Sequence, residues 1–447
     1  MPIQIGWFIP IQITSFLPLQ IQSFTNQQIW ALTNEQIYWL IYIQIQTLTP
    51  QQISVFTEKQ ISYFAKEQIP FFNEKQIQTL TETQILSLTI EQITWLTKEQ
   101  ISWFTKKQTQ TFTKEQISAF TKEQIQALTP QQITYFNEKQ IPRFTTEQIQ
   151  ALTKVQIQTL TIQQIQTFTK EQIHWLIYLQ IQALTPTQIS VFTSKQVLAI
   201  AEEQIPYFNK KQIKAFTPTQ ILTFTTKQIS AFIEQQIKEF TPTQITYFNE
   251  KQIQTFTKTQ IQAFTKEQIK EFTPTQITYF NEKQIPWFTD WQIPYFNEKQ
   301  IQAFTPTQIL TFTTKQISVF IEQQIKEFTP TQITYFNEKQ IQTFTKTQIQ
   351  AFTKEQIQEF TPAQITYFNE KQIPWFTDWQ IPYFNEKQIQ AFTPTQIESF
   401  TEEQIKNSTQ LLLRKEEIKS FNSKEINKYN LNNETLSSEI KNNSRKL

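Results

Sequence analysis

Apolar and polar positions along this chain recur with a period of eight residues. Residues 1–408 form 51 consecutive octads of the type Thr-x-x-Gln-Ile-x-x-Phe, as in residues 113–120. Position 4 is glutamine in every octad, and position 5 is isoleucine in all but two, which carry Thr109 and Val197. Position 8 is phenylalanine or leucine in nearly every octad, and no insertion breaks the register. Such a period is typical of a repeat protein whose units bury their apolar residues against neighbouring units.

Each octad predicts the start of a helix. Position 1 is threonine in 33 octads and asparagine in nine, and either residue three positions before a glutamine forms the capping box of a helix N-terminus. All 20 prolines lie at position 2 or position 6. Position 2 is the first helical residue after the cap, where the missing N–H of proline costs nothing. Proline at position 6 predicts helices of only one or two turns, partly of the 3₁₀ type.

One continuous helix does not fit this pattern. Eight residues turn an α-helix about 80° beyond two full turns, so the Ile and Phe side chains would spiral over all its faces. A β-solenoid is the leading alternative, because stacked Gln and Thr side chains suit one. Against it, the single glycine, Gly6, is too few for repeated tight corners, and the apolar residues are spaced 3 and 5 apart rather than 2. The predicted fold class is all-α, a solenoid of very short capped helices with one helix per octad.

The octad also predicts the buried side chains. We expect positions 5 and 8 to form the core. Ordering eight residues costs more free energy than burying the two apolar side chains of one octad returns, so an octad folds only when it packs against its neighbours. Position 4 never carries glutamate, although glutamate would serve an exposed capping box equally well. We therefore expect the glutamines to be buried, where stacked carboxylates would repel each other in a low dielectric.

The chain divides into an array and a tail. Residues 1–408 are the array, and within it residues 217–304 recur as 305–392 with only three differences. This near-identity indicates a recent duplication, so the array changes length in whole octads. Residues 409–447 are rich in Lys, Asn, Glu and Ser. They predict a polar C-terminal cap and tail, with a capping helix near residues 411–421 and disorder after it.

Composition narrows the classes of function. Lys and Arg number 40 against 38 Asp and Glu, and this balance argues against nucleic-acid binding. The absence of cysteine excludes disulfides and cysteine-ligated metals. Residues 1–34 carry no charged side chain, but they keep the octad and lack the basic start and continuous apolar stretch of a signal peptide. Recurrent glutamines interrupt every long apolar run, so membrane insertion is not expected, and the compartment stays open between the cytoplasm and export by another signal.

A short phrase within the octad resembles known repeats. Residues 48–53 read Leu-Thr-Pro-Gln-Gln-Ile, as do residues 128–133. Both resemble the Leu-Thr-Pro-Glu-Gln-Ile/Val motif of short octapeptide-repeat proteins of intracellular bacteria. The opening helix of TAL effector repeats is similar, but those units are longer and their DNA-reading residue pair has no counterpart in this chain. The bacterial resemblance implies an α-solenoid used for contact with a host or a partner.

Few residues are candidates for catalysis. The only histidine is His174, at the variable position 6, and the only aspartates are Asp290 and Asp378, at equivalent places in the duplicated block. An active site needs several unlike groups that converge, whereas Glu and Lys at positions 2 and 3 are typical of a solvated face. The sequence therefore predicts that the protein is not an enzyme and needs no metal or cofactor.

Aromatic residues at position 7 are the best candidates for recognition, because position 8 already supplies the core. With two tryptophans at position 3, they would form an external ladder that grips peptides, glycans or another copy of the chain. In the alternative interpretation, these rings are half buried between coils. The candidate residues are Trp95, Trp103, Trp175, Tyr247, Tyr279, Trp287, Trp291, Tyr295, Tyr335, Tyr367, Trp375, Trp379 and Tyr383. The expected function is a non-enzymatic repeat scaffold with an extended surface for protein binding or self-association, and the alternative is a fibrous or adhesive surface protein.

Overall fold

The structure is built from one short helix per octad. The computed structural model describes residues 2–424, with side chains from Ile5 onward. In this range the 51 octads form 43 α-helices and eight 3₁₀-helices, and no strand occurs. The fold is an all-α solenoid, as predicted, and the β-solenoid alternative is wrong. No helix among the described residues is long and apolar enough to cross a membrane.

The α-helices begin at position 2 of their octad and end between positions 5 and 7. They run from Pro10–Ile13 to Glu402–Lys406, and Lys114–Ala119 is typical. Where a helix ends at position 7, the two residues before the next helix are extended, with φ and ψ of −59° and 132° at Phe120 and −75° and 164° at Thr121. The chain therefore turns at every boundary between octads, without any residue of positive φ in the described range.

Seven of the eight 3₁₀-helices have the same cause. Those seven octads carry proline at position 6, which has no N–H to donate to the carbonyl four residues earlier. The next N–H bonds three residues back instead, as Trp287 does to the Gln284 carbonyl at 3.0 Å. The 3₁₀-helices are Pro2–Trp7, Lys66–Phe71, Ile141–Arg143, Glu202–Tyr207, Ile285–Trp287, Ile293–Tyr295, Ile373–Trp375 and Ile381–Tyr383.

The predicted capping box is present in most octads of the array, although the Thr289 and Thr377 hydroxyls do not accept from the glutamine N–H. In a typical octad the Gln116 N–H donates to the Thr113 hydroxyl at 3.2 Å, and the Thr113 N–H donates to Gln116 Oε1 at 3.0 Å. These two bonds satisfy backbone donors that a new helix leaves without an intrahelical partner. Where position 1 is Ile, Leu or Ala, the glutamine still accepts from the backbone, but the side-chain half of the box is missing, as at Ile177.

The same glutamine joins each octad to the coil before it. Gln116 Nε2 donates to the carbonyls of Ile85 at 2.8 Å and Leu88 at 2.9 Å, which lie 31 and 28 residues earlier. The pattern recurs along both halves of the chain, for example at Gln300, which donates to Ile269 and Phe272 at 2.7 Å. Position 4 is buried from Gln36 to Gln404, which confirms the predicted burial. Its amide is therefore a cap on one side and a link between coils on the other.

One coil contains between three and four octads. Helices three octads apart pack together, such as Glu58–Ser62 against Glu82–Ser87, and Pro330–Ile333 against Lys354–Glu359. The glutamine bonds to position 8 carbonyls, such as the bond to Leu88, span 28 residues, which equals three and a half octads. Each octad therefore lies against two octads of the preceding coil.

Positions 5 and 8 form the core, as predicted. From Phe240 to Phe400 the position 8 rings make an unbroken series of T-shaped contacts, with centroids 5.0 to 5.4 Å apart. Edge-to-face geometry adds to the energy of ring burial. Earlier in the chain, leucine replaces phenylalanine in several octads, and these leucines are buried as well.

The chain forms two compact units, Met1–Glu239 and Phe240–Leu447, each built from the same stacked octads. In the second unit a helix at 409–424 follows the last octad and buries Leu411 and Ile418. This helix includes the range in which the sequence predicts a capping helix. The remainder of the predicted polar tail lies outside the described residues.

Candidate functional site

Position 7 lies at the outer end of each short helix. Trp103 and Tyr279 are the last residues of Lys98–Trp103 and Pro274–Tyr279, whereas Trp95 and Trp175 directly follow their helices as C-caps. The next residue, at position 8, turns inward to the core. Position 7 is thus less buried than position 8 wherever it carries an aromatic residue.

The candidate rings divide into two groups by exposure. Trp95, Trp175, Trp291 and Trp379 are exposed, at 43 to 51%. The other nine are half buried, namely Trp103, Tyr247, Tyr279, Trp287, Tyr295, Tyr335, Tyr367, Trp375 and Tyr383. Most of the candidate rings at position 7 are thus half buried, as the alternative interpretation expects. The four exposed tryptophans have the most accessible aromatic surface among the candidates.

Contacts between coils cover part of the position 7 rings, including rings that stay exposed. A position 7 ring packs beside a residue of the preceding coil. Tyr207 meets Tyr178 with centroids 5.6 Å apart, and Lys66 Nζ lies 5.9 Å from the Trp95 ring centroid. These contacts cover one side of each ring and leave its outer edge accessible.

Two equivalent aromatic clusters occur in the second unit. The first contains Trp287, Trp291 and Tyr295, and its copy in the duplicated block contains Trp375, Trp379 and Tyr383. The exposed tryptophan meets the tyrosine in T-shaped geometry in both, with centroids 6.2 Å apart in the first and 6.1 Å apart in the second. We call these three-residue sets the tryptophan clusters. Their equal geometry makes them a repeated surface feature of one unit.

The turns that carry the tryptophan clusters owe their shape to proline. Each cluster spans two successive octads with proline at position 6, at Pro286 and Pro294 in the first copy. Both octads form three-residue 3₁₀-helices, Ile285–Trp287 and Ile293–Tyr295, in place of a longer α-helix. Because a proline ring fixes φ and cannot join the helical bonding, the position 7 rings that follow are held on rigid, shortened turns.

A lysine covers the tyrosine of each tryptophan cluster. Lys270 Nζ lies 5.9 Å from the Tyr295 ring centroid. In the second copy the equivalent residue is Gln358, and Lys354 takes its place at 5.3 Å from the Tyr383 ring. A cation over an aromatic face is attracted by the ring quadrupole. The tyrosine faces are thus occupied, and Trp291 and Trp379 remain the accessible rings.

Charged residues on the outer faces of the coils compensate each other. Lys107 pairs with Glu82 at 2.6 Å and Lys210 with Glu239 at 3.0 Å, both between neighbouring coils. In four octads the glutamate at position 3 has its pKa lowered, first by its own backbone N–H and then by the hydroxyl of the capping threonine. These residues are Glu99, Glu123, Glu147 and Glu171. Exposed pairs of this kind add little stability, so the surface is a mixed, nearly neutral one.

His174 lies beside an open groove in the first unit. The groove has a volume of about 920 Å³, and Trp175, Lys195, Leu198 and Glu202 are among its lining residues. The His174 and Trp175 rings meet in T-shaped geometry at 5.4 Å, and both are exposed. No group of three or more His, Cys, Asp or Glu side chains that could hold a metal ion occurs among residues 5–424. The groove thus offers an aromatic wall and mixed charges.

In comparisons with known proteins, no family model and no curated protein sequence matches the chain.

A second exposed apolar surface lies outside the predicted candidates. It is formed by residues of the first six octads, such as Ile11 and Leu19. The signal for it is present in the sequence, because aliphatic residues replace threonine at position 1 and charged residues at position 3 in these octads. From the sequence alone, residues 1–34 are expected only to be the uncharged first turns of the array.

Proposed function

We propose that the protein is a non-enzymatic scaffold whose solenoid presents an extended surface to a protein partner or to another copy of itself. The observation that carries this proposal is that different positions of the octad have different structural roles. Positions 1, 4, 5 and 8 supply the caps, the bonds between coils and the core, while positions 2, 3 and 6 are mostly exposed and position 7 is mostly exposed or half buried. An outer face that varies on a constant frame is the arrangement that repeat proteins use for binding.

The tryptophan clusters are the contact points of this proposal. Tryptophan is among the residues that contribute most to protein interfaces, because it buries a large area at low cost in side-chain entropy. Trp291 and Trp379 are each half exposed and lie two residues before the proline-shortened turns Ile293–Tyr295 and Ile381–Tyr383. The bacterial short-repeat resemblance of residues 48–53 and 128–133 supports the same use.

The proposal is tested by removing both exposed rings from the full chain. The double variant Trp291→Ala/Trp379→Ala is compared with wild type for partners retained from a lysate of the source cells, and for self-association by sedimentation velocity. The matched control is Leu222→Ala/Leu310→Ala, since these leucines are 50% and 49% exposed and occupy equivalent places in the duplicated block.

We expect the tryptophan variant to lose a bound partner or a self-associated form that wild type and the leucine control both keep. All three proteins should melt at similar temperatures, because exposed side chains contribute little to the core. If the tryptophan variant keeps every interaction of wild type, the clusters are not the binding surface.

A further inference from the structure

The segment 1–57 differs from the rest of the array in its surface chemistry. Only one charged side chain, that of Glu35, occurs in it. At position 1, where most octads have threonine, it carries Ile9, Leu17 and Ile41. Position 3, which is commonly glutamate or lysine elsewhere, is aliphatic in four of these seven octads. Apolar residues are therefore concentrated at the solvent-facing positions of this segment.

These apolar side chains are exposed to solvent. Ile9, Ile11, Leu17 and Leu19 are 57 to 77% exposed. We call the following set the apolar collar: Trp7, Ile9, Ile11, Leu17, Leu19, Trp30, Tyr38, Trp39, Ile41, Tyr42 and Ile43. It contains 11 of the large apolar side chains that are exposed in the described residues, although it lies within six octads. Solvent-exposed apolar surface of this density marks a binding surface.

The apolar collar also weakens the local helix caps. Ile9, Leu17 and Ile41 make no side-chain cap hydrogen bond, unlike the threonines of most other octads. Replacing a capping threonine by an apolar residue reduces helix stability. Since these residues are also exposed, the loss of the cap is not offset by core burial.

The apolar collar extends around the coil rather than lying on one side. Every one of the first six octads contributes at least one member, and one coil contains between three and four octads. Successive octads therefore face different directions around the coil. A flat partner on one side could cover only part of this surface, whereas a medium that surrounds the coil could cover all of it.

Polarity changes in order along the collar. The first coil exposes mainly aliphatic side chains, at Ile9, Ile11, Leu17 and Leu19 beside Trp7, and the second coil exposes mainly aromatic ones, at Trp30, Tyr38, Trp39 and Tyr42 beside Ile41 and Ile43. Regular charge begins in the third coil, from Glu58 and Lys59. A lipid bilayer has the same order, with acyl chains below an interface where Trp and Tyr are favoured, and water above.

We propose that the apolar collar binds the interfacial region of an electrically neutral lipid bilayer. Neighbouring helices pack about 8–10 Å apart, so one coil matches the depth of about 5–10 Å at which apolar faces enter the boundary between headgroups and acyl chains. Since the collar has no lysine or arginine, binding does not depend on anionic lipid.

The test is flotation of the full chain with phosphatidylcholine vesicles. Wild type should float with the vesicles at low and at high salt. The variant Ile11→Lys/Leu19→Lys should lower the partition coefficient about 100-fold or more, since two aliphatic side chains are lost from the interface. Lysine is the natural residue at position 3 in other octads, such as Lys59 and Lys75, so the fold tolerates the change, and thermal melting confirms it.

The control is Leu222→Lys/Leu310→Lys, which adds the same two charges at exposed leucines outside the collar. These leucines lie at position 6, which carries Lys214 and Lys238 in other octads. This control should float like wild type.

Failure of wild type to float would overturn the proposal, and so would binding that requires anionic lipid and disappears at high salt. Wild type could instead form an oligomer that does not bind vesicles and that Ile11→Lys/Leu19→Lys converts to monomer. This result would show that the collar mediates self-association, and it would overturn the proposal.

Discussion

Replacing one buried glutamine by glutamate tests the link between coils. Gln220 Oε1 accepts from the Thr217 N–H at 2.9 Å, while Nε2 donates to the carbonyls of Ile189 at 2.8 Å and Phe192 at 2.9 Å. In Gln220→Glu the first bond survives. The second carboxylate oxygen, however, takes the place of a double donor and faces two carbonyl oxygens in the buried interior.

The cost follows from the chemistry of that site. Glutamate must bind a proton to donate there, and holding the proton at pH 7 against an ordinary pKa near 4.3 costs about 3.7 kcal/mol, at 1.36 kcal/mol per unit. The protonated group donates to only one carbonyl, and the other loses its partner at a cost of about 1–3 kcal/mol. We expect destabilisation of about 5–7 kcal/mol at pH 7 from these two contributions together.

The pH dependence has a definite sign. The pKa of the introduced carboxyl is raised in the folded state, so the folded protein holds a proton that the unfolded chain releases. The deficit relative to wild type should therefore shrink as pH falls towards 4, to about 1–3 kcal/mol. Urea unfolding followed by circular dichroism at pH 7 and pH 4 measures both values.

Gln20→Glu is the matched control. Gln20 has the same cap, with its Oε1 accepting from the Leu17 N–H at 2.7 Å. It is exposed, however, and no earlier coil lies in the described range for its amide to bond. This variant should unfold like wild type. Equal midpoints for Gln220→Glu and Gln20→Glu at pH 7 would refute the role assigned to the bonds between coils.

Two further perturbations separate the cap, the core and the register. Thr257→Ala should lower the free energy of unfolding by about 1 kcal/mol, because the helix cap is lost. Phe264→Ala should lower it by about 3–5 kcal/mol, because the Phe264 ring is fully buried between two others. Equal losses in chemical denaturation would contradict the assignment of position 8 to the core. Deleting residues 217–304 joins octads in phase and should leave a cooperative melt and protease resistance, whereas deleting residues 257–260 should expose a cleavage site near residue 256. An unfolded product of the long deletion, or a short deletion without effect, would show that stacking of octads in register does not hold the fold.

The elements of this fold follow from the octad itself. Thr113 and Gln116 predict a cap because their bonding partners lie within one octad. Pro286 predicts a tightened turn for the same reason, since proline affects a hydrogen bond that spans only four positions. The burial of glutamine follows from the exclusion of glutamate. The cap and the tightened turn are interactions that are local in the sequence, whereas the burial was inferred from the residue type that position 4 excludes.

The coil could not be predicted in this way. Its size depends on the angle through which the extended residues at positions 8 and 1 turn the chain, and no residue preference specifies that angle. The sequence therefore did not reveal the acceptors of Gln116, at Ile85 and Leu88. The same holds for the candidate site, because the cover on a position 7 ring comes from the previous coil. Tyr295, for example, is covered by Lys270 of that coil.

The limited reach of the bonds between coils has a consequence for how the chain folds. The described glutamine bonds join residues no more than 31 positions apart, wherever they occur in the array. Relative contact order therefore falls as octads are added, although it is high in folds that rely on distant pairings. Any two consecutive coils contain every type of interaction that the architecture uses, so ordering can begin at many points and spread by neighbouring coils. Lengthening the array therefore adds no contact of longer sequence separation than those that its first two coils already form on folding.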